Sequence, residues 1–220
     1  LFLIAVILIP FSVSLLVHFP SLFRAFDALT ASMIWSIGGF LLFILIFFIF
    51  GAPVKTYVLE HELSHLLFAA LSGIRIRSVS FRSSNAHVKT DRVNLVMALA
   101  PYAFPLYTLL LIPVLKLVTL SSSNPLLTGV IHLLIGMTLS FHFVATIHYV
   151  QIDQPDIRRY GYFSSLVLIA TWSIVMLALI CALLYDEVQL LDYLRSSIRG
   201  TMVMYSHVAG FFITAWNQLH

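Results

Sequence analysis

Charge is what this sequence has least of. Asp, Glu, Lys and Arg make up 10% of its 220 residues while 60% are hydrophobic, against roughly 25% charged in a soluble domain. So few charges cannot cover a water-facing surface, which excludes an ordinary soluble enzyme and a disordered chain. The excess of one sign is also small, 12 Lys+Arg against 9 Asp+Glu. The basic residues fall between apolar runs rather than on one face, which excludes a nucleic-acid binder. Cysteine is nearly missing: Cys181 stands alone inside an apolar run, so no disulfide framework forms within the chain and the redox compartment stays open. No basic stretch precedes the first apolar run, so that run reads as a first span or the remnant of one rather than a signal peptide. Internal repeats and low-complexity segments are missing as well.

What is present is long apolar runs. A helix needs about 20 mainly apolar residues to cross a bilayer core of about 30 Å. Residues 1–17, 30–50, 57–73, 93–120, 126–150 and 162–185 meet or approach that length. Gly38-Gly39 marks a point of close helix packing in the second run. Pro101, Pro105 and Pro113 predict kinks or a break in the fourth, tolerated where protein covers the freed carbonyls. The expectation is an all-α integral membrane protein, multi-pass, with about six transmembrane helices, in a cell membrane read as bacterial or archaeal.

Three segments depart from that pattern. Residues 74–92 read as a short β-hairpin after the third span: Ile74 and Ile76 alternate with Arg75 and Arg77, then Val79 and Phe81 continue in shifted phase, as at a bulge. Ser83-Ser84-Asn85 supplies the turn. Residues 151–161 are dense in charge. The tail carries Leu191, Leu194, Ile198, Met202, Tyr205 and Phe212 at mostly helical spacing, and with Arg195 and Arg199 it is expected to lie on the membrane as an amphipathic helix. With six crossings, Arg24, Arg75, Arg77, Arg82, Lys89, Arg92, Arg158 and Arg159 share one side. Lys55, Lys116, Arg195 and Arg199 share the other. The positive-inside rule then places 74–92 and 151–161 in the cytoplasm.

The third span contains His61-Glu62-Leu63-Ser64-His65. Four residues of helix turn about 400° and rise about 6 Å, so His61 and His65 lie on one face and can grip one zinc ion at roughly 2.0–2.1 Å. Glu62 lies on the same side and reaches a water at such an ion without being a ligand, whereas Glu60 points away. With nine histidines and three glutamates, random order yields this H-E-x-x-H pattern on the order of 0.005 times per chain. Ionisable groups in an apolar span cost about 2.5–3.5 kcal/mol each for Asp, Lys or Arg on insertion scales, so four of them within six residues need a compensating reason. An interfacial polar patch on a short span is the alternative. Catalytic zinc takes three protein ligands and leaves one position open. His65 lies about 12 Å from the cytoplasmic end of its span by helical rise, and Asp153 and Asp156 lie at that same end of the fifth span, so either can supply the third donor.

Together, the His-Glu-x-x-His segment in a membrane helix, the hairpin, the proline-rich span and Gln154-Pro155-Asp156 after a later span resemble the site-2 protease family of intramembrane zinc metalloproteases. The resemblance covers residues 57–161, which makes 1–56 accessory membrane segments and 162–220 a sixth span with its amphipathic tail. It implies Zn2+ as cofactor, His61, His65 and Asp156 as metal ligands with Asp153 in reserve, and Glu62 as general base. Ile157 stands where that family carries glycine, and Phe104 where it carries an asparagine. It also implies a membrane-anchored protein as substrate, unwound and captured by strand addition along Ile74, Ile76, Val79 and Phe81. The lipid bilayer is the other partner, together with membrane-complex partners.

His132, His142 and His148 on the fifth span read first as hydrogen-bonded polar residues facing the bundle. Two rival functions are a protease-like scaffold without catalysis, and a haem-binding or transport protein using those fifth-span histidines. His87 reads as a solvated hairpin residue, His207 as interfacial, and Arg158-Arg159 as a positive-inside anchor.

Overall fold

A computed structural model describes residues 1–81, 86–151 and 154–219. The chain divides into two compact units, Leu1–Asp27 with Gly161–His220, and Ala28–Tyr160. The accessory segment 1–56 is therefore split between them, because its second helix packs inside the unit that carries the His-Glu-x-x-His motif.

In the Ala28–Tyr160 unit, helix α2 (Ala31–Phe50) starts where the Thr30 hydroxyl accepts the Met33 N–H at 3.2 Å and stops at Gly51, whose φ is +78°. Helix α6 (Pro125–Val150) starts on Asn124, whose side chain accepts the Leu126 and Leu127 N–H groups. The two helices meet backbone to backbone. A Cβ on Gly39 would collide with the Leu133 carbonyl, and one on Gly136 with the Ser36 carbonyl. Gly38 faces open space, so only one residue of the expected glycine pair makes the approach. Small residues at the crossing are how membrane helices gain contact when lipid offers no hydrophobic drive.

Helix α3 (Val54–Leu71) carries the motif and ends in a Schellman cap. Gly73 takes φ +62°, its N–H donates to Ala70, and the Ile74 N–H donates to Ala69. Strands β1 (Ile76–Ser80) and β2 (His87–Thr90) then pair antiparallel, with a register shift between Ile76 and Ser78. That shift is the expected bulge. The expected turn at Ser83-Ser84-Asn85, and Arg82 beside it, lie outside the described residues.

Helix α4 (Leu95–Ala103) begins on Asn94, which caps Met97 at 2.8 Å and donates from Nδ2 to Ser72 Oγ at 3.1 Å. Helix α5 (Leu106–Ser121) follows a 68° bend. Of the three prolines only Pro105 makes the break. It forces Phe104 into an extended conformation, as the residue before proline prefers. Helix α7 (Pro155–Arg159) closes the unit, held by Ile157, which is fully buried.

The other unit contains α1 (Phe2–His18), a 3-10 turn (Phe19–Phe23), α8 (Tyr162–Leu184) and α9 (Leu190–Leu219). Leu15, Leu22, Ala178 and Tyr193 form its core. Helix α9 runs antiparallel along α1: Tyr193 donates its hydroxyl to Leu15 O at 3.0 Å, Ser14 Oγ donates to Ser197 O at 2.7 Å, and the Tyr205 hydroxyl meets Ile7 O. The tail is amphipathic as expected, but its first half is seated lengthwise on another helix. Its small residues Ser197, Gly200 and Thr201 turn toward α1, and Met202, Val208, Phe212 and Trp216 stay exposed.

Among the described residues, four helices, α1 with the following turn, α2, α6 and α8, are long and apolar enough to cross a membrane; α4 and α5 make a fifth if the bent pair is one span. The chain is thus mostly helical, with four or five candidate membrane spans and a small two-stranded sheet. Six spans were expected. The one that drops out is α3, because Lys55, Glu60, His61, Glu62 and His65 interrupt its apolar run. The sidedness inferred from six crossings depends on that parity and loses its basis with it.

Candidate metal centre

The motif helix places Tyr57, His61 and His65 at intervals of four, along one stripe of α3. His61 Nε2 and His65 Nε2 lie 3.1 Å apart. Asp156 Oδ2, from the first turn of α7, lies 3.6 Å from His61 Nε2 and 3.3 Å from His65 Nε2. Among the described residues, these three are the group of histidine, cysteine or acidic side chains whose donor atoms converge on one point. Asp153 lies outside the described residues.

Each imidazole is held from behind. His65 Nδ1 is 2.9 Å from the Met97 carbonyl, which only accepts, so Nδ1 carries a proton and Nε2 is the nitrogen turned toward His61 and Asp156. His61 Nδ1 is 3.3 Å from the Tyr57 hydroxyl. Tyr57 is itself fixed by Tyr149, stacked at 3.9 Å between ring centroids, and the edge of His61 meets the buried Tyr102 ring at 5.3 Å. Gln154 accepts from the Tyr102 hydroxyl at 3.5 Å and donates to the Tyr149 carbonyl at 3.3 Å, tying the start of α7 to the same wall.

The side chains of His61, His65 and Asp156 are 11%, 9% and 29% exposed, so the cluster is sheltered but reachable on the aspartate side. Burial pushes the Asp156 carboxyl up. The bonds to His61 and His65 outweigh it and hold the acid below the usual carboxylate range, so it stays ionised. Glu62 is half-buried, and its charge reaches both imidazoles.

The donor set fits a small tetrahedral cation. Two ligands at roughly 2.0–2.1 Å in tetrahedral geometry stand about 3.3–3.4 Å apart, and the observed separations of 3.1, 3.3 and 3.6 Å bracket that value. Two imidazole nitrogens and a carboxylate are also a donor set that zinc takes in catalytic sites. His61 and His65, with the Nδ1 supports, match the pattern in which a ligating imidazole gives its other N–H to a fixed partner.

The remaining expected residues divide. Ile74 lies outside β1 and is buried against Ala69 and Met97, as the apolar contact that completes the Schellman cap; Ile76 packs beside it. Ile74 is thus taken up by the helix cap, whereas Ile76 belongs to β1 and is half-buried. Val79 and Phe81 are 39% and 46% exposed. Phe104 faces Phe68 on the apolar side of α3. The fifth-span histidines have separate neighbours: His132 faces Ser36, His142 faces Glu60, and His148 sits between the Phe47 and Tyr149 rings. Sequence reasoning missed Tyr57, although its spacing of four before His61 signals a shared face. It missed the Met97 carbonyl as well, which no side-chain pattern encodes. Compared with known proteins, the chain matches no family model, no curated protein and no solved structure.

Proposed function

We propose that the chain is a zinc-dependent endopeptidase working at a membrane, with His61, His65 and Asp156 holding the metal. The observation that carries this reading is the convergence of His61 Nε2, His65 Nε2 and Asp156 Oδ2 within 3.6 Å of one another, with Glu62 on the same helix. Zinc bound there would lower the pKa of water toward about 7 and polarise a scissile carbonyl. Glu62 accepts the proton lost by the attacking water and returns it to the leaving amine nitrogen. Water's hydroxyl thus goes to the carbonyl carbon as the C–N bond breaks, and Glu62 ends as it began. Met97 and Tyr57 keep the imidazoles aimed throughout.

The substrate class proposed here is a membrane-anchored protein. A transmembrane segment of a membrane-anchored protein must unwind before its peptide bonds are accessible. The two-stranded sheet offers edges for an extended segment, and Val79 and Phe81 give that edge apolar side chains to recognise it. This reading agrees with the resemblance to the site-2 protease family.

Metal analysis of the purified, detergent-solubilised chain, coupled to cleavage of single-span proteins in liposomes, tests it. The expected result is one zinc per chain, lost in His61→Ala, and cleavage lost by about 10²–10⁴-fold in Glu62→Gln with zinc retained. A wild-type chain that takes up no metal refutes the site, and equal cleavage by Glu62→Gln refutes the mechanism.

A further inference from the structure

Glu60 has no part in the proposed hydrolysis, yet it is the most buried acid of the motif helix. Its side chain is 3% exposed and that of His142, its partner on α6, 2%. Glu60 Oε2 lies 3.5 Å from His142 Nδ1. Glu60 Oε1 accepts the backbone N–H of Tyr107 at 3.3 Å. Tyr107 is the second residue of α5, so this N–H is one that the helix start leaves without an intrahelical acceptor, at the end where the dipole favours a negative group. One carboxylate therefore joins three elements: the metal-bearing α3, the start of α5 immediately after the 68° bend, and α6. The Ser64 hydroxyl donates to the Glu60 carbonyl at 2.9 Å, fixing the same turn from inside.

A charged group in this setting is costly to bury without partners. His142 adds to the cost, since its Nε2 is buried with no hydrogen-bond partner among the described residues. Apolar residues at both positions would avoid both penalties, so packing alone does not account for the pair. The neighbouring residue does. Glu60 directly precedes His61, and a helix pinned at residue 60 cannot rotate or slide without carrying His61 and His65 away from Asp156. The Met97 carbonyl and the Tyr57 hydroxyl fix how each ring is turned; neither fixes where the helix stands.

We infer that Glu60 and His142 are a positioning pair that sets the register and rotation of α3, so that the two motif imidazoles meet Asp156. The inference rests on the metal reading of that cluster, and it assigns neither residue a contact with metal or substrate. The pair acts as a unit: removing either partner releases the helix, and removing both releases it no further.

The experiment uses the full chain in detergent, with zinc affinity from chelator competition, the visible absorption of the cobalt-substituted protein, and thermal unfolding. Glu60→Gln keeps the shape and the acceptor for Tyr107, and is the variant most able to fold; His142→Gln is its counterpart. Each is expected to weaken zinc binding about tenfold and to shift the cobalt bands. The double variant is expected to be no weaker than the worse single one, as coupled residues behave. Thr108→Val serves as a packing control, because Thr108 is fully buried and bonded to Thr138 in the same bundle. It should lower thermal stability and leave zinc affinity and the cobalt spectrum alone. Folded Glu60→Gln and His142→Gln with wild-type zinc affinity and spectrum overturn the positioning role while leaving the metal site standing. Equal loss in Thr108→Val reduces it to general packing and also overturns it. A wild-type chain that binds no metal overturns the metal reading itself and takes the positioning role with it.

Discussion

The two units of this chain bury polar groups of different kinds. In the unit formed by Leu1–Asp27 and Gly161–His220, the buried polar residues among those described are all serine or threonine: Ser14, Ser21, Ser164, Ser165, Thr171, Ser197 and Thr201. Several satisfy themselves on their own helix, as Thr171 does on the Val167 carbonyl, Ser197 on Tyr193 and Thr201 on Ser197. Such bonds cost little in a membrane setting and need no distant partner. The Ala28–Tyr160 unit buries Glu60, His65, His132 and His142 as well. Each of these reaches across to another element, to α5 and α6, to α4 and α7, to α2, or to α3. Ionisable groups do not settle in an apolar bundle on local bonds alone, so where they gather, the tertiary structure has been arranged around them. That difference singles out the Ala28–Tyr160 unit, which carries the proposed metal centre, without reference to any motif.

The comparison can be broken most directly at Asp156. Asp156→Ala should weaken zinc binding by more than about 100-fold, beyond the 10–100-fold typical of outer-shell changes. Asp192→Ala, which removes an acid exposed beside Arg195 in the other unit, should leave binding unchanged. Chelator competition on both variants decides it, and equal behaviour would erase the contrast. Tyr57→Phe should cost about tenfold in zinc affinity, since the His61 ring loses its Nδ1 partner; isothermal titration reads this, and a rise in affinity would remove Tyr57 from the site.

Packing gives a third, smaller contrast. Gly136→Ala places a methyl group against the Ser36 backbone, and overpacking of this kind costs about 1–3 kcal/mol, visible as a lowered unfolding temperature. Gly200→Ala meets the side chains of Ser14 and His18, which can turn aside, and should cost less. The smallest effect is expected from Thr171→Val. It deletes the bonds to Val167 and Ser12 for about 0.5–1.5 kcal/mol without any change in metal binding. An effect on zinc there would mean that the two units are not separable in function.

Much of this is legible in the amino-acid sequence. Apolar length alone announced the helices, though it suggested six spans where four or five candidates qualify among the described residues. The motif helix α3 passes for a span only if Lys55, Glu60, His61, Glu62 and His65 are discounted, and they are what keeps it from being one by composition. The bulge in β1 was legible because a phase shift in alternation is visible residue by residue. The tail was legible as amphipathic, but the periodicity that predicts an apolar face cannot say what the other face meets. Here the polar stripe of Tyr193, Ser197 and Gly200 found α1. Ile74 read as a strand residue because it alternates with arginines, whereas its position just after Gly73 makes it part of a helix cap.

The sequence by itself determined that His61, Glu62 and His65 share one side of a helix, because helical geometry is local and spacing fixes it. It also determined that the chain is dominated by apolar helices, because composition fixes that. Only the tertiary structure decided that Asp156 stands at the two imidazoles, 91 residues from His65 along the chain. It decided too that the Met97 backbone orients His65 and that Glu60 turns inward to His142. These outcomes depend on which helices meet, at what angle and in what register. That is set by the sum of many contacts, such as Gly39 and Gly136 at the α2–α6 crossing, and by no short pattern of residues.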